Sequence, residues 1–223
     1  GKPRVAYKET LTRPADGEMK YAKQTGGRGQ YGHCKIHLFP GEPGTGYIFE
    51  NKTTQGSIPK EFIKPSTDGI LEGANNGVIA GFPVVDVIIK IVDGSFHEVD
   101  SSEMAFKMAG IFAFKDAMKK ANPILLEPIV NLDVSVPEQH VGDVTGGLAT
   151  KRARINGTDA GRGGEIIIKA QVPLAEVTDY SNELKALSGG RGRYAIEFSH
   201  YEAVPGNVQK QLTEAYKPRV EEE

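Results

Sequence analysis

The histidine at position 97 sits in DGSFHEVDSSEMAF, residues 93–106, among Asp93, Glu98 and Asp100 and beside Ser95, Ser101 and Ser102. An imidazole close to carboxylates has the parts for general acid–base catalysis. An enzyme of this kind would use His97 with Asp93 or Glu98. No paired nucleophile accompanies it, because the three serines occupy positions where turn and helix-cap residues stand. An exposed, chemically idle loop histidine is the plainer expectation, so no catalytic residue is assigned. Metal chemistry has less support still. His33, His37 and His97, even with Asp93, show neither an i, i+4 helical pair nor a compact ligand spacing, and no metal site is expected. Cys34 is the only cysteine, which excludes an intrachain disulfide and a cysteine metal cluster and suits a reducing cytosol.

A second kind of chemistry, the meeting of an anion, is suggested by QTGGRGQYGH, residues 24–33. It holds Gly26, Gly27, Arg28, Gly29, Gln30, Tyr31, Gly32 and His33, and from Met19 to Gly41 there is no Asp or Glu. Glycines let a backbone approach a surface closely, an arginine offers a fork of donors to phosphate, and a tyrosine can stack on a base. The same stretch also reads as an ordinary hairpin tip. It is not a dinucleotide fingerprint, since a strand follows it rather than a helix, and the GxxxxGK[ST] phosphate loop is absent from the whole chain. Two further basic stretches are ATKRARINGTDAGRGGE, with Lys151, Arg152, Arg154 and Arg162, and SGGRGRYAIEFSHYE, with Arg191 and Arg193. Basic residues flanking strands suit RNA contact or a solvated edge that discourages strand pairing. Neither stretch has the aromatic pattern of an RNA-recognition sheet.

The elements that would position these residues belong to two domains. Lys and Arg number 16 against 14 Asp and Glu in residues 1–121, and 8 against 11 in residues 122–204, so neither domain is basic in bulk and nucleic-acid binding would rest on local patches. No apolar run approaches the ~18 residues of a membrane span, and GKPRVAYKET is not expected to be a secretory signal. In residues 1–121, Arg4–Leu11, His33–Phe39, Tyr47–Lys52 and Val84–Val92 read as strands. One helix is expected from Pro59 past Ala74 to Val78, stopped by Gly81 and Pro83. A second begins at Asp100 with a capping box to Glu103, and Met104, Met108, Ile111, Phe112 and Met118 form its expected buried stripe. This makes an α+β domain with two helices on one face of a mixed sheet. ANPILLEP, residues 121–128, reads as the break to the next domain.

Residues 122–204 contain a repeat. SVPEQHVGDVTGGL and QVPLAEVTDYSNEL align at an offset of 36 positions, matching Val136, Pro137, Val141, Asp143 and Leu148 with Val172, Pro173, Val177, Asp179 and Leu184. Each copy is a strand followed by a helix. With the strands expected at 152–158, 164–172 and 194–201, the order is βαββαβ, a ferredoxin-like fold. Residues 205–223 are left as a tail or helix.

QTGGRGQYGH, EPGTGYIFENK, PVVDV, DGSFHEVDSSEMAFKMAG, LLEPI and GRGRYAIEFSHYEAVP occur in that order between Arg4 and Pro205. Together they closely resemble the C-terminal half of the translation elongation factor G family, the ribosomal translocases. The resemblance implies that residues 1–121 are the family's fourth domain, an elongated α+β unit with a left-handed crossover, and residues 122–204 its ferredoxin-like fifth. It implies that two loops, at Gly26–His33 and Ser95–Asp100, form a tip that enters the decoding region beside transfer RNA and messenger RNA. Gly26, Gly27, Arg28, Gly29, Gln30, Tyr31, His33, Ser95, Phe96 and His97 would then touch RNA. His97 falls where the archaeal and eukaryotic relatives carry a modified histidine. The fifth domain would face ribosomal RNA of the large subunit, with Lys151, Arg152, Arg154 and Arg191 as contacts.

The implied partners are the ribosome, ribosomal RNA, tRNA and mRNA, for a monomer in the cytoplasm without membrane contact. No cofactor is expected in these residues; GTP and magnesium belong to a GTPase domain that this chain does not contain. Gly146-Gly147-Leu148-Ala149-Thr150 departs from the family, which usually carries an acidic residue there, and GTDAGRGGE is one residue longer than the usual hairpin. These departures leave open a divergent paralogue for recycling or resistance, or a stand-alone ribosome-binding protein.

Overall fold

The computed structural model describes residues 4–25 and 28–216. The chain divides into two compact units, Lys8–Leu126 with Val204–Glu223 and Gly1–Tyr7 with Glu127–Ala203. Both are α+β.

In the first unit, β1 (Lys8–Thr10) pairs antiparallel with residues 124–126. Strands β2 (Ala15–Thr25) and β3 (Arg28–Pro40) form a long antiparallel hairpin. Sequence reading left β2 unassigned. β3 pairs antiparallel with β5 (Val87–Ser95), which runs parallel to the edge strand β4 (Tyr47–Asn51), giving the order β2-β3-β5-β4. Cys34, Ile36 and Leu38 of β3 and Val87, Ile89 and Ile91 of β5 are buried at the two-residue period of a strand. Their alternates His33, Lys35, His37 and Lys90 lie on the other face.

Two helices cover the apolar face, α1 (Lys60–Asn76) and α2 (Glu103–Lys120), and Phe62 stacks on Phe106 between them at 4.6 Å. The buried stripe of α2 differs from expectation. It is Ala105, Phe106, Ala109, Gly110, Ala113, Phe114, Ala117 and Met118, whereas Met104 is 63% exposed. Small residues line this face because the backbones meet closely: a Cβ on Gly17 of β2 would fall 2.7 Å from Ala117 Cβ. The cap differs too. Ser102, not Asp100, is the N-cap of α2, and its hydroxyl oxygen accepts from the Ala105 amide at 3.1 Å. α1 stops at Asn76 because Gly77 turns with φ 72°.

Glu9 of β1 is fully buried. Its two carboxylate oxygens accept from the amides of Val78 (2.7 Å), Ile79 (3.0 Å), Ala80 (2.9 Å) and Phe82 (3.0 Å). Four donors replace the water that a buried carboxylate loses. They fix the loop between α1 and β5.

The second unit uses most of β6 (Ile124–Pro137), then α3 (Val141–Ala149), β7 (Arg154–Ala160), β8 (Glu165–Pro173), α4 (Tyr180–Ser188) and β9 (Arg193–Ala203). The strand order β9-β6-β8-β7 is that of a ferredoxin-like sheet. Repeat positions Val136, Val172, Leu148, Val177 and Leu184 are buried together in its core. Within the expected tail, Gly206–Ala215 form a helix, α5, and Gln209 Oε1 accepts from the Leu125 amide at 3.2 Å in the first unit. Among the described residues no helix is long and apolar enough to cross a membrane.

Candidate nucleic-acid interface

Gly26 and Gly27, between β2 and β3 in sequence, lie outside the described residues. Arg28 opens β3 and pairs through its backbone with Thr25. The expected loop from Gly26 to His33 is therefore strand from position 28 onward, and the hairpin delivers its residues at fixed register. Lys20 stands opposite His33, and Glu18 opposite Lys35. The segment lacks acids in sequence but not in space. Glu18 Oε1 is 2.7 Å from His33 Nε2, and a Cβ on Gly29 would lie 2.6 Å from the carboxyl carbon of Asp100.

Segment 95–102 is fastened to this hairpin along its length. The Tyr31 amide donates to the Asp100 carbonyl at 2.9 Å, and the Ser102 amide donates to the Tyr31 carbonyl at 3.3 Å. The Ser102 hydroxyl donates to Gln30 Oε1. Ser95 Oγ lies 2.6 Å from the Tyr31 hydroxyl and 2.7 Å from His33 Nδ1. Gly32 passes so close to α2 that a Cβ would meet the Ala105–Phe106 peptide at 2.5 Å. Glycine here serves packing within the fold as well as any approach to a ligand.

His97 turns its ring toward Tyr31, with centroids 6.0 Å apart. Its Nδ1 accepts from the amides of Val99 at 3.4 Å and Asp100 at 3.3 Å, which leaves the ring proton on Nε2. The loop is closed by the Ser101 hydroxyl, which accepts from the His97 amide at 2.7 Å. The carboxylate at ion-pair distance is that of Asp100, 3.7 Å from Nδ1, and not Asp93 or Glu98. With Nδ1 committed to backbone amides, the imidazole is oriented as part of a loop rather than paired to a catalytic carboxylate. Phe96 and Val99 are exposed beside it, at 48% and 77%. Among the described residues no group of three His, Cys, Asp or Glu could hold a metal ion.

The second-unit cations divide differently from the sequence expectation. Arg152, with φ 56°, places its guanidinium nitrogens 2.6 and 3.1 Å from both oxygens of Glu127 and 3.2 Å from Glu176. Hydrogen bonding to Glu127 raises its pKa although partial burial opposes this. Tyr7 beside it is raised by burial and by the Glu127 charge. Lys151 is 2.8 Å from Glu183, and Arg154 is 3.0 Å from Glu202. Burial acts to raise the Glu202 pKa, yet His200 and Arg154 outweigh it and hold the carboxyl below its usual range. Three of the four expected contacts are thus already paired with carboxylates. The Arg191 side chain has no partner among the described residues. Arg154, Gln171, Asn131 and Ser199 form a polar ladder across the open face of the sheet. In α3, Cβ atoms on Gly142 and Gly146 would meet nothing within 4 Å, so the fold does not require the departure at Gly146.

The family model described as elongation factor G, domain IV matches residues 3–122, and that described as elongation factor G C-terminus matches residues 124–212. A crystal structure of a Thermus thermophilus protein is similar at 44% identity and a TM-score of 0.84, over 96% of this chain. The chain spans 32% of the length of that protein. By both family matches, which together cover nearly all of its residues, the chain belongs to the elongation factor G family.

Proposed function

We propose that this chain is the ribosome-engaging part of a translocase, in which the first unit's tip occupies decoding-site space beside tRNA and mRNA. The observation that carries this is the fastening of residues 28–33 to residues 95–102, segments far apart in sequence, into one cross-braced tip. That tip presents Phe96, Val99 and a ring of His97 that is 55% exposed. A braced protrusion with exposed aromatic and imidazole groups, and with Lys20, Lys23 and Lys35 on its hairpin, suits stacking and phosphate contact with structured RNA. Its action is steric and makes or breaks no bond. The chain has no GxxxxGK[ST] loop, so its residues do not fit GTP and magnesium, and no step is assigned to nucleotide here. Hydrolysis would be supplied by a GTPase domain of a longer protein acting in the cytoplasm.

The test is kinetic, in a full-length factor carrying this sequence. His97→Ala and Arg28→Ala are each expected to slow translocation while GTP hydrolysis on the ribosome stays near its original rate. An equal fall in hydrolysis would show that these residues do not form the tip. The enzyme alternative would instead show turnover of a small substrate, abolished by His97→Ala.

A further inference from the structure

Glu18, His33, Ser95 and Tyr31 form a continuous chain of short contacts. Glu18 Oε1 to His33 Nε2 is 2.7 Å, His33 Nδ1 to Ser95 Oγ is 2.7 Å, and Ser95 Oγ to the Tyr31 hydroxyl is 2.6 Å. A carboxylate oxygen only accepts, so Nε2 of His33 must carry a proton, and the opposite neutral tautomer is excluded. When His33 is neutral, Nδ1 accepts the Ser95 proton. Ser95 Oγ then accepts the Tyr31 proton, and every hydroxyl hydrogen is used inside the chain. When His33 is protonated, Nδ1–H donates to Ser95 Oγ. Ser95 no longer donates to the ring, so its proton is free to turn to the Tyr31 oxygen and release the Tyr31 proton.

We propose that Glu18, His33 and Ser95 are positioning residues that set the hydrogen-bond polarity of Tyr31, making its hydroxyl an outward donor to an anionic oxygen only when His33 is charged. On the ribosomal reading, that oxygen is an RNA phosphate. Tyr31 is partly exposed and its ring faces His97, which places it at the tip. The other charged groups around His33 are Lys20 opposite it on β2, Lys35 two residues along β3, and Asp93 opposite Lys35 on β5. At the Tyr31 end of the chain stands His97, whose ring faces Tyr31 and which lies 3.7 Å from the Asp100 carboxylate. Among the charged groups of the described residues, Glu18 is the one in direct contact with the ring of His33.

Two measurements on the 223-residue chain test this. First, ring nitrogen chemical shifts of His33 are followed by NMR as the pH is lowered until the ring takes up its second proton. The Nε2–H tautomer is expected before that uptake and both N–H groups after it. An Nδ1–H tautomer at high pH overturns the proposal. Second, binding to a fluorescent RNA hairpin is compared for wild type, Tyr31→Phe, Ser95→Ala and Ser95→Thr. Wild type should exceed Tyr31→Phe by about tenfold at the low pH and by less than about twofold at the high pH, as for one charge-assisted bond gained. Ser95→Ala removes the link, so its advantage over Tyr31→Phe should no longer change with pH, and Ser95→Thr should restore the change. Identical pH profiles for wild type and Ser95→Ala also overturn the proposal. Absence of RNA binding in every variant would count against the RNA-binding function instead, and the polarity of the chain would then be decided by the NMR titration alone.

Discussion

Gly29 and Asp100 stand so close that a Cβ on the glycine would lie 2.6 Å from the aspartate's carboxyl carbon and from one of its oxygens. What obstructs the added atom is the end of a side chain, which can rotate away. At Gly32, three residues on, the obstacle is the peptide of Ala105 and Phe106, which cannot move without shifting α2. The two alanine substitutions should therefore separate. Gly32→Ala is expected to destabilise the chain by about 2 kcal/mol, a typical cost of overpacking. Gly29→Ala should cost less than about 1 kcal/mol in stability while displacing Asp100 and weakening the tip. Urea unfolding of both variants checks this, and equal losses would contradict the difference in geometry.

Arg152 and Arg191 make opposite predictions in the second unit. Arg152→Ala leaves Glu127, 2% exposed, without its bidentate partner. Because Arg152 is itself about a third exposed, water recovers part of the loss, and a destabilisation of about 1–3 kcal/mol is expected. The salt dependence of RNA binding should hardly change. Arg191→Ala should leave the unfolding midpoint within about 0.5 kcal/mol and lower the magnitude of the log–log salt slope by about 0.7–0.9, as for one phosphate contact. A salt-slope change with Arg152→Ala and none with Arg191→Ala would reverse these roles.

The contrast between those arginines shows where sequence reading stops. Basic residues beside a strand look alike whether a carboxylate meets them or not. The partners of Arg152 lie 25 and 24 positions away, brought there by the βαββαβ fold that the internal repeat did reveal. The alternation of Cys34, Ile36 and Leu38 was equally legible, because burying one face of a sheet demands it. Strand β2 was hidden because its core face, Ala15, Gly17, Met19 and Tyr21, is interrupted by glycine at the one position pressed against α2. For the same reason the buried face of α2 is mostly alanine and glycine, while the bulky Met104 points outward. Hydrophobic patterns are weakest where backbones approach most closely. Ser95 and Tyr31 were both picked out from their motifs, but their 2.6 Å contact depends on the β3–β5 register, which no local pattern records.

Glu9 was legible only as one face of a strand, and its role depends on four amides nearly seventy residues away or more. Glu9→Gln keeps the shape and replaces one accepting oxygen by an N–H₂ donor directed at two amide donors. The resulting unpaired groups are fully buried, and a loss of about 2–4 kcal/mol is expected. Thermal unfolding should show it, and hydrogen exchange at Val78, Ile79, Ala80 and Phe82 should accelerate first. Unchanged protection at these amides would mean that the loop does not depend on the carboxylate.

Cys34 gives a prediction that runs with pH. Burial in the sheet core, with a smaller push from the charge of Glu18, raises its thiol pKa from 9.0 to about 12. The neutral thiol is thus favoured by the folded state. The stability linked to it is fully present below about pH 9, where folded and unfolded chains are both protonated, and is lost as pH rises from there toward 12. The thiolate is also the nucleophile that attacks a disulfide reagent, so native Cys34, held as the thiol, should react at about pH 8 only through opening of the fold. Its labelling rate should rise steeply with urea and follow the unfolding equilibrium. Cys34→Ala should remove the thiol's share of the alkaline destabilisation, at the separate cost of a small cavity. Rapid labelling of the folded chain, independent of denaturant, would show that the hairpin opens locally beside His33 and Tyr31.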